Sequence, residues 1–426
     1  MFGASPLTKA LRTWIKEGGS LWDALEDLEN QITNRKEADA LLDALRHHQN
    51  GTRPDTGDDE PASSNLHCLT ALFQNVEASE AFERLVEEGL PGLRWEVQNA
   101  LNGEPIVGDD VLFVLKVLAL YRQEEDVALI ARAARAGYEE DAYMWSIIFN
   151  VFQEEHPHLH LMIDALRDPL PTGFIAVSYL DLCNSAAIAS QLEVHPFASA
   201  PGLALLTRWL QSEDKEQFSY AHSTTAALPF VPEAARNSLL DLAQRHPSVG
   251  VRLEAAWASA RTGDRDGLAQ LAEFCRDPNH STTAQQYLSE LGAADEIPEP
   301  CKDPNFQALA EMAHWLAHPQ EFGRPPTRME ILDTRELHWP PTEDERRLWL
   351  VKYTYDEPGE ETDIGVGMVG SITFALFGEA TIELSPEDIY GLHCCWELQA
   401  REDPRAPEER TPAIGRQILA EHNEGF

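Results

Sequence analysis

A 29-residue period in the middle of this 426-residue chain restricts its possible folds more than any other feature. Alanine recurs at Ala226, Ala255 and Ala284, and leucine recurs at Leu210, Leu239 and Leu268 with the same spacing. Each period holds two short segments whose apolar residues follow helical spacing, so the repeating unit is a pair of helices. Because short connections make consecutive helices antiparallel neighbours, the period predicts an α-solenoid over residues 66–318.

The most regular unit covers residues 246–274. Val251 and Arg252 begin a Val-Arg-x-x-Ala-Ala core, which a Gly-Asp pair and a Leu-x-x-Leu segment follow. This unit resembles the short HEAT repeats that also occur in phycobilisome lyases, most clearly over residues 246–292. In that family the alanines let two helices pack closely and the glycine ends the first helix, so the resemblance implies HEAT-like antiparallel pairs. The flanking units depart from the pattern, with His222-Ser223 and His280-Ser281 in the places of Val251 and Arg252.

Changes in composition divide the rest of the chain. The segments predicted besides the solenoid are N-terminal helices over 1–48, a flexible acidic loop over 49–65, a linker over 319–326, a small α+β domain over 327–400 and a charged tail over 401–426 with room for one short helix. In the α+β domain, β-branched and aromatic residues predict a strand over 347–356, one strand or two strands broken by glycines over 364–377, and another strand over 380–384. In the first of these strands, Trp349, Val351, Tyr353 and Tyr355 share one face. The predicted fold is therefore mainly α, an α-solenoid followed by this domain.

The chain is strongly acidic, with 72 Asp and Glu residues against 33 Lys and Arg residues, a formal net charge of −39 and a pI near 4.6. Such a charge repels phosphate backbones and anionic membrane surfaces, so nucleic acid and membranes are not expected partners. A basic protein or peptide partner fits the charge, and simple solubility or an acidic proteome is the alternative.

Two features favour a cytoplasmic location. The first 19 residues have no uninterrupted apolar core of the signal-peptide type, and the apolar segment 111–121 is short and contains Lys116, which is typical of a buried helix. The six cysteines (68, 183, 275, 301, 394 and 395) have no Cys-x-x-Cys spacing, which fits reduced thiols.

Gly365, Gly367 and Gly370 match the dinucleotide fingerprint by letter. The fingerprint also needs a helix whose N-terminus holds the pyrophosphate, but the β-branched and aromatic segment after Gly370 is strand-like. Glycine-rich strand packing is the favoured interpretation, and no cofactor is expected.

Two clusters have metal-ligand residue types. His156, His158 and His160 surround Pro157, and His393-Cys394-Cys395 lies within a predicted helix. Adjacent helical residues point about 100° apart, so neither trio converges on one ion by itself. The alternative for the three histidines is a solvated helix start, and the alternative for the second cluster is buried structural cysteines. Metal binding stays open for both clusters.

The residues selected for partner binding are Trp145, Trp209 and Trp257, together with the acidic run Glu139, Glu140 and Asp141. Large aromatic side chains anchor many interfaces, but they more commonly pack in cores. The alternative role of the acidic residues is helix capping. No catalytic residue can be nominated. The sequence favours a non-enzymatic scaffold or adaptor that binds a protein or peptide on an acidic solenoid face. The alternatives are a lyase-like or small-molecule-handling cradle, and a ligand-binding C-terminal module.

Overall fold

The computed structural model describes residues 4–51, 64–104, 106–153, 155–356, 362–377, 383–423 and 426. The fold is mainly helical, with a small antiparallel sheet near the C-terminus, as the sequence predicts at this level. The chain divides into two compact units, residues 1–239 and 240–426. Residues 52–63 of the loop predicted over 49–65 lie outside the described residues.

The first unit is built from helices, and α14 crosses its C-terminal boundary. Their bounds are α1 (Pro6–Glu17), α2 (Leu21–Leu25), α3 (Arg35–Asn50), α4 (Asn65–Gln74), α5 (Ser79–Arg84), α6 (Leu90–Leu101), α7 (Gly108–Leu120), α8 (Glu124–Arg135), α9 (Met144–Gln153), α10 (Leu159–Leu166), α11 (Gly173–Ile188), α12 (Ala200–Leu210), α13 (Phe218–Ala227) and α14 (Glu233–Gln244). A π-helical turn (Leu85–Gly89) joins α5 to α6. Three 3-10 turns (Pro196–Ala198, Lys215–Gln217 and Leu228–Phe230) flank α12 and α13.

Alternate helices of the first unit pack side by side. Helices α7, α9, α11 and α13 contact one another in that order, and α6, α8 and α10 form a second series. The facing surfaces are apolar: Trp145, Phe149 and Phe152 of α9 are fully or almost fully buried. Burial of this apolar surface stabilises the arrangement. The starts of α9, α11 and α13 carry the candidate site.

The second unit contains four more helices, then four strands, then two helices. Their bounds are α15 (Val249–Arg261), α16 (Arg265–Phe274), α17 (Pro278–Glu290), α18 (Pro304–Leu316), β1 (Arg328–Trp339), β2 (Asp344–Tyr355), β3 (Asp363–Val369), β4 (Phe374–Phe377), α19 (Pro386–Ala400) and α20 (Pro412–Ala420), with 3-10 turns at Ala294–Glu296 and Glu299–Lys302. The most regular repeat forms the pair α15 and α16. Gly263, with φ of 92°, follows the first helix, and the Asp264 side chain caps the second by accepting from the Asp266 amide at 3.0 Å.

Small residues let α15 and α16 approach closely. A β-carbon on Gly267 of α16 would come within 2.8 Å of the Ala256 carbonyl oxygen of α15, which is closer than real contacts allow. Helices α16 and α17 also pack together, as do α17 and α18.

The four strands form one antiparallel sheet in the order β1-β2-β3-β4. Helix α18 covers one face, where Met312 and Leu316 share a core with Val351 and Tyr353. Helices α19 and α20 contribute to the core on the other face, which contains Leu348, Leu350 and Met368. The predicted shared face of Trp349, Val351, Tyr353 and Tyr355 is confirmed, because all four lie on the α18 side.

One strand differs from the predictions: β1 is not among the predicted strands, because its charged residues hide a strand that is only partly buried along most of its length. The segment predicted over 364–377, as one strand or two broken by glycines, forms two strands separated by a turn after Gly370, whose φ is 108°. Most of the strand predicted over 380–384 lies outside the described residues. Among those residues, no helix has both the length and the apolarity needed to cross a bilayer.

Candidate functional site

The three tryptophans selected from the sequence lie in cores. Trp145 is 0% exposed, Trp209 is 5% exposed and Trp257 is 3% exposed. The Trp145 indole N–H donates to the Tyr138 carbonyl oxygen at 2.9 Å, which fixes the loop that precedes α9. In this conformation the three indoles support the fold and are not available to a partner.

The acidic run lies in that same loop, between α8 and α9. Its backbone adopts positive φ angles at Gly137 (64°) and Glu139 (44°). A non-glycine residue with positive φ is uncommon and is maintained by surrounding contacts. These bends send the three consecutive acids Glu139, Glu140 and Asp141 towards three different helices.

Glu140 holds the start of α11. Its carboxylate accepts a hydrogen bond from the Thr172 hydroxyl at 2.7 Å, and its carbonyl oxygen accepts one from the Ile175 amide at 3.2 Å. Gly173, with φ of 58°, leaves room for the contact, because a β-carbon there would lie 3.2 Å from the Glu140 carboxylate. A carboxylate at a helix N-terminus also interacts favourably with the helix dipole. Glu140 is therefore committed to capping.

Glu139 lies against the start of α7 in the same way. A β-carbon on Gly108, the first residue of α7, would come within 2.7 Å of the Glu139 carboxyl carbon. No side chain caps α7 by a hydrogen bond at its N-cap residue, Val107. Two residues of the acidic run thus contact the starts of α7 and α11.

A row of three aromatic rings, of which the first is exposed, begins beside this loop. Tyr143 is 71% exposed and stacks on Phe174 of α11, with ring centroids 6.2 Å apart and ring planes 29° apart. Phe174 in turn contacts Tyr220 of α13, with centroids again 6.2 Å apart. Phe174 and Tyr220 are half-buried. We call Tyr143, Phe174 and Tyr220 the aromatic ridge.

Asp141 supplies negative charge at the far end of the aromatic ridge. Burial raises the pKa of Tyr220, and the Asp141 carboxylate raises it further. Trp209 supports the Tyr220 ring edge-on from below, at a centroid distance of 6.0 Å. Exposed π faces next to a carboxylate attract a cation from two sides.

Sequence reasoning found the acids of this site but missed the rings. It favoured tryptophans at helical spacing, and tertiary packing places those in cores. The rings could have been found from their places at helix starts: Tyr143 immediately precedes α9, and Phe174 and Tyr220 lie in the first turns of α11 and α13. Side chains at the starts of neighbouring helices lie at one edge of the helix row.

The three histidines near Pro157 do not converge. A ring nitrogen of His156 hydrogen-bonds the Ala119 carbonyl at 3.1 Å, and one of His158 hydrogen-bonds the Arg122 carbonyl at 3.1 Å. Both imidazoles therefore satisfy carbonyl groups at the C-terminal end of α7. His160 is exposed. The described parts of the chain contain no group of three or more His, Cys, Asp or Glu residues placed to hold a metal ion.

The glycines of the fingerprint lie in the sheet. Gly365 pairs with Tyr353 and Phe377, and Gly367 pairs with Val351 and Ala375. The element that follows Gly370 is β4, in agreement with the strand-packing interpretation. A β-carbon on Gly367 would lie 2.8 Å from the Met312 sulfur. The absence of a side chain on Gly367 therefore lets α18 pack closely on the sheet.

The His393-Cys394-Cys395 trio is buried within α19. Burial raises the pKa of both thiols, which disfavours the reactive thiolate form. Burial lowers the pKa of His393 to about 3, so its imidazole is neutral at neutral pH. All six cysteines are free and buried.

Comparison of the chain with protein-family models and with curated proteins gives no match.

Proposed function

We propose that this chain is a HEAT-like repeat scaffold whose aromatic ridge binds an arginine-containing segment of a protein partner. One observation carries the proposal: the Tyr143, Phe174 and Tyr220 rings form a continuous row, the Asp141 charge acts on the last of them, and the Tyr143 side chain is mostly in solvent. A mostly exposed tyrosine at the end of a row of half-buried rings is suited to anchor a partner, because aromatic side chains are enriched at interface hot spots.

Helix packing supports the repeat architecture of the proposal. The series α7, α9, α11 and α13 and the series α6, α8 and α10 correspond to the two layers of a solenoid made of helix pairs. The 29-residue period and the α15–α16 pair extend the same pattern. We place the repeats over residues 66–318 and the α+β domain over 327–400, with a cytoplasmic location.

The chemistry of the site favours arginine over lysine. A guanidinium is planar and weakly hydrated, so it stacks on ring faces while its N–H groups reach a carboxylate. Tyr143 is the mostly exposed ring of the ridge, and the Asp141 charge acts on Tyr220 at its other end. The net charge of −39 attracts basic segments from a distance, and the aromatic ridge selects among them.

The experiment must separate ridge binding from attraction to a highly acidic protein. Fluorescence anisotropy would compare two labelled twelve-residue peptides, one with four arginines and the other with four lysines at the same positions, at about 0.15 M salt, where long-range attraction is screened. Stacking predicts tighter binding of the arginine peptide. Attraction to net charge alone predicts equal affinities.

Tyr143→Ala leaves the net charge unchanged and removes one ring. We expect it to weaken binding of the arginine peptide about fivefold, the equivalent of roughly 1 kcal/mol for one cation–π contact. Trp22→Ala is the matched control, because Trp22 is an exposed aromatic residue on α2, 49% accessible, outside the aromatic ridge. Equal affinity of wild type and Tyr143→Ala would refute the proposal.

A further inference from the structure

Arg252 of α15 has no ion-pair partner among the residues that the structure describes, in a chain where acidic residues outnumber basic ones 72 to 33. The side chain is half-buried. Its Nη1 donates to the carbonyl oxygens of His246 at 2.7 Å and Pro247 at 3.0 Å, which fixes the guanidinium at the end of α14. The Nε and Nη2 groups have no acceptor among those residues. A fixed cation with unused donors is suited to an anionic group.

A cavity of about 460 Å³ adjoins this guanidinium, within the second unit. It lies between the ends of α14 and α16 and the starts of α15 and α17. Small-molecule sites have volumes of about 300–1,000 Å³. Gln244 and Gln270 supply amide groups to its wall, and Phe274 and Val249 supply apolar surface.

Negative charge lies elsewhere on the cavity wall. The Asp277 carboxylate uses Oδ1 to accept from the Asn279 amide at 3.0 Å, and its Oδ2 lies 3.9 Å from Nε2 of His280. Burial lowers the pKa of His280; the Asp277 charge opposes this shift and the Arg252 charge adds to it. A neutral His280 leaves most of the Asp277 charge unbalanced. Glu273, on the same wall, pairs with Arg276 at 3.1 Å.

We propose that this cavity binds a free α-amino acid. The ligand carboxylate pairs with the open donors of Arg252, the ammonium group pairs with the Asp277 carboxylate, and the side chain packs on Phe274. The Asp277 and Glu273 carboxylates disfavour a phosphate dianion, and Arg252 disfavours a simple cation, so the charge pattern fits a zwitterion. The site is separate from the aromatic ridge, which belongs to the first unit.

Ligand-observed NMR with the intact chain tests the proposal. The probes are the twenty L-amino acids, each at about 5 mM, and for any binder its N-acetyl and carboxamide derivatives. We expect at least one amino acid to bind, and each derivative to bind about tenfold or more weakly, because each loses one charge-assisted hydrogen bond. No binder among the twenty, or equal binding of the carboxamide, would overturn the proposal.

Variants locate the binding. Arg252→Gln and Asp277→Asn should each weaken it about tenfold or more, and asparagine retains the capping ability of Asp277. The exposed Arg265→Gln and Asp266→Asn are matched controls that should bind as wild type does. Because Arg252→Gln loses hydrogen bonds to α14, the exposed Gln270→Trp provides a second route: it fills the cavity and leaves those bonds in place. Unchanged binding in Gln270→Trp and Asp277→Asn would refute the assignment, whatever the behaviour of the aromatic ridge variants.

Discussion

The Asp141 charge acts on the Tyr220 phenol although 79 residues separate the two residues in the sequence. Burial raises the pKa of this phenol, and the Asp141 carboxylate, which lies in the loop before α9, raises it further. The same loop uses Glu139 and Glu140 at the starts of α7 and α11. Two acids of this loop thus contact two helix starts, and Asp141 stays exposed.

Asp141→Asn should lower the pKa of Tyr220, because the substitution removes the negative charge that opposes ionisation of the phenol. The pKa should stay above its ordinary value, since the contribution of burial remains. An NMR titration of ring-labelled tyrosine, with Tyr220 assigned by Tyr220→Phe, measures the shift. The same variant should bind the arginine peptide less tightly. An unchanged Tyr220 pKa would show that the Asp141 charge does not act on the Tyr220 phenol.

Asp110 of α7 should make the protein less stable as the pH rises. The side chain is 3% exposed, one oxygen accepts from the Ser64 hydroxyl at 2.6 Å, and the other has no hydrogen-bond partner among the described residues. Burial raises its pKa from 3.8 to about 6. The folded state therefore favours the protonated acid, and the stabilisation present below pH 4 is lost as the pH rises through 6.

Asp110→Asn removes this titration. Relative to the variant, wild type should lose about 2 kcal/mol in free energy of unfolding between pH 4 and 7, which is most of the effect of a shift of about two pKa units. Urea denaturation at a series of pH values measures the difference, with the exposed Asp43→Asn as control. A difference between wild type and Asp110→Asn that does not vary with pH would rule out the buried acid.

His393 of α19 should make the protein less stable as the pH falls, which is the opposite of the effect of Asp110. Its ring is fully buried, neither nitrogen has a hydrogen-bond partner within the described parts of the chain, and its pKa falls from 6.5 to about 3. The unfolded chain binds a proton below pH 6.5 and the folded chain does not, so stability is lost as the pH falls. His393→Leu should remove about 2 kcal/mol of this loss between pH 7 and 5. The free energy of unfolding, measured by urea denaturation at a series of pH values, would contradict this prediction if it changed equally with pH in wild type and His393→Leu. The exposed His160→Gln is the control.

Gly367→Ala tests the contact between α18 and the sheet. The new methyl group meets the end of the Met312 side chain, which is flexible but fully buried, so we expect a loss of about 1 kcal/mol, the lower end of the range for overpacking. Gly51→Ala is the control, because its β-carbon meets only ordinary contacts, of 3.5 Å or more. Urea denaturation compares the two variants. Equal stability would show that α18 does not pack on Gly367.

Sequence reasoning succeeded where the signal is local. Gly263 and Asp264 mark the end of one helix and the start of the next, as the resemblance to short HEAT repeats implies. It failed where the position of a side chain, in a core or on the surface, depends on long-range packing. Trp145 is equally helical in pattern whether it faces a core or a partner, and only the packing of α9 against its neighbours selects the core.

The aromatic ridge illustrates the same limit. Tyr143, Phe174 and Tyr220 do not share the 29-residue spacing, because the connections between these helix pairs differ in length. Their proximity depends on the order in which α9, α11 and α13 pack. Strand β1 was missed for a related reason: pairing with β2 fixes it, and its own charged residues give little strand signal.

Photo-crosslinking tests the central claim most directly. The photoreactive residue p-benzoylphenylalanine would replace Phe174, and in a second protein Trp22, and each protein would be irradiated with the labelled arginine peptide at about 0.15 M salt. We predict crosslinking at position 174 that unlabelled arginine peptide suppresses and the lysine peptide suppresses less, with little crosslinking at position 22. Equal crosslinking at the two positions would show that the peptide binds the acidic surface without regard to the aromatic ridge, and would contradict the proposed function.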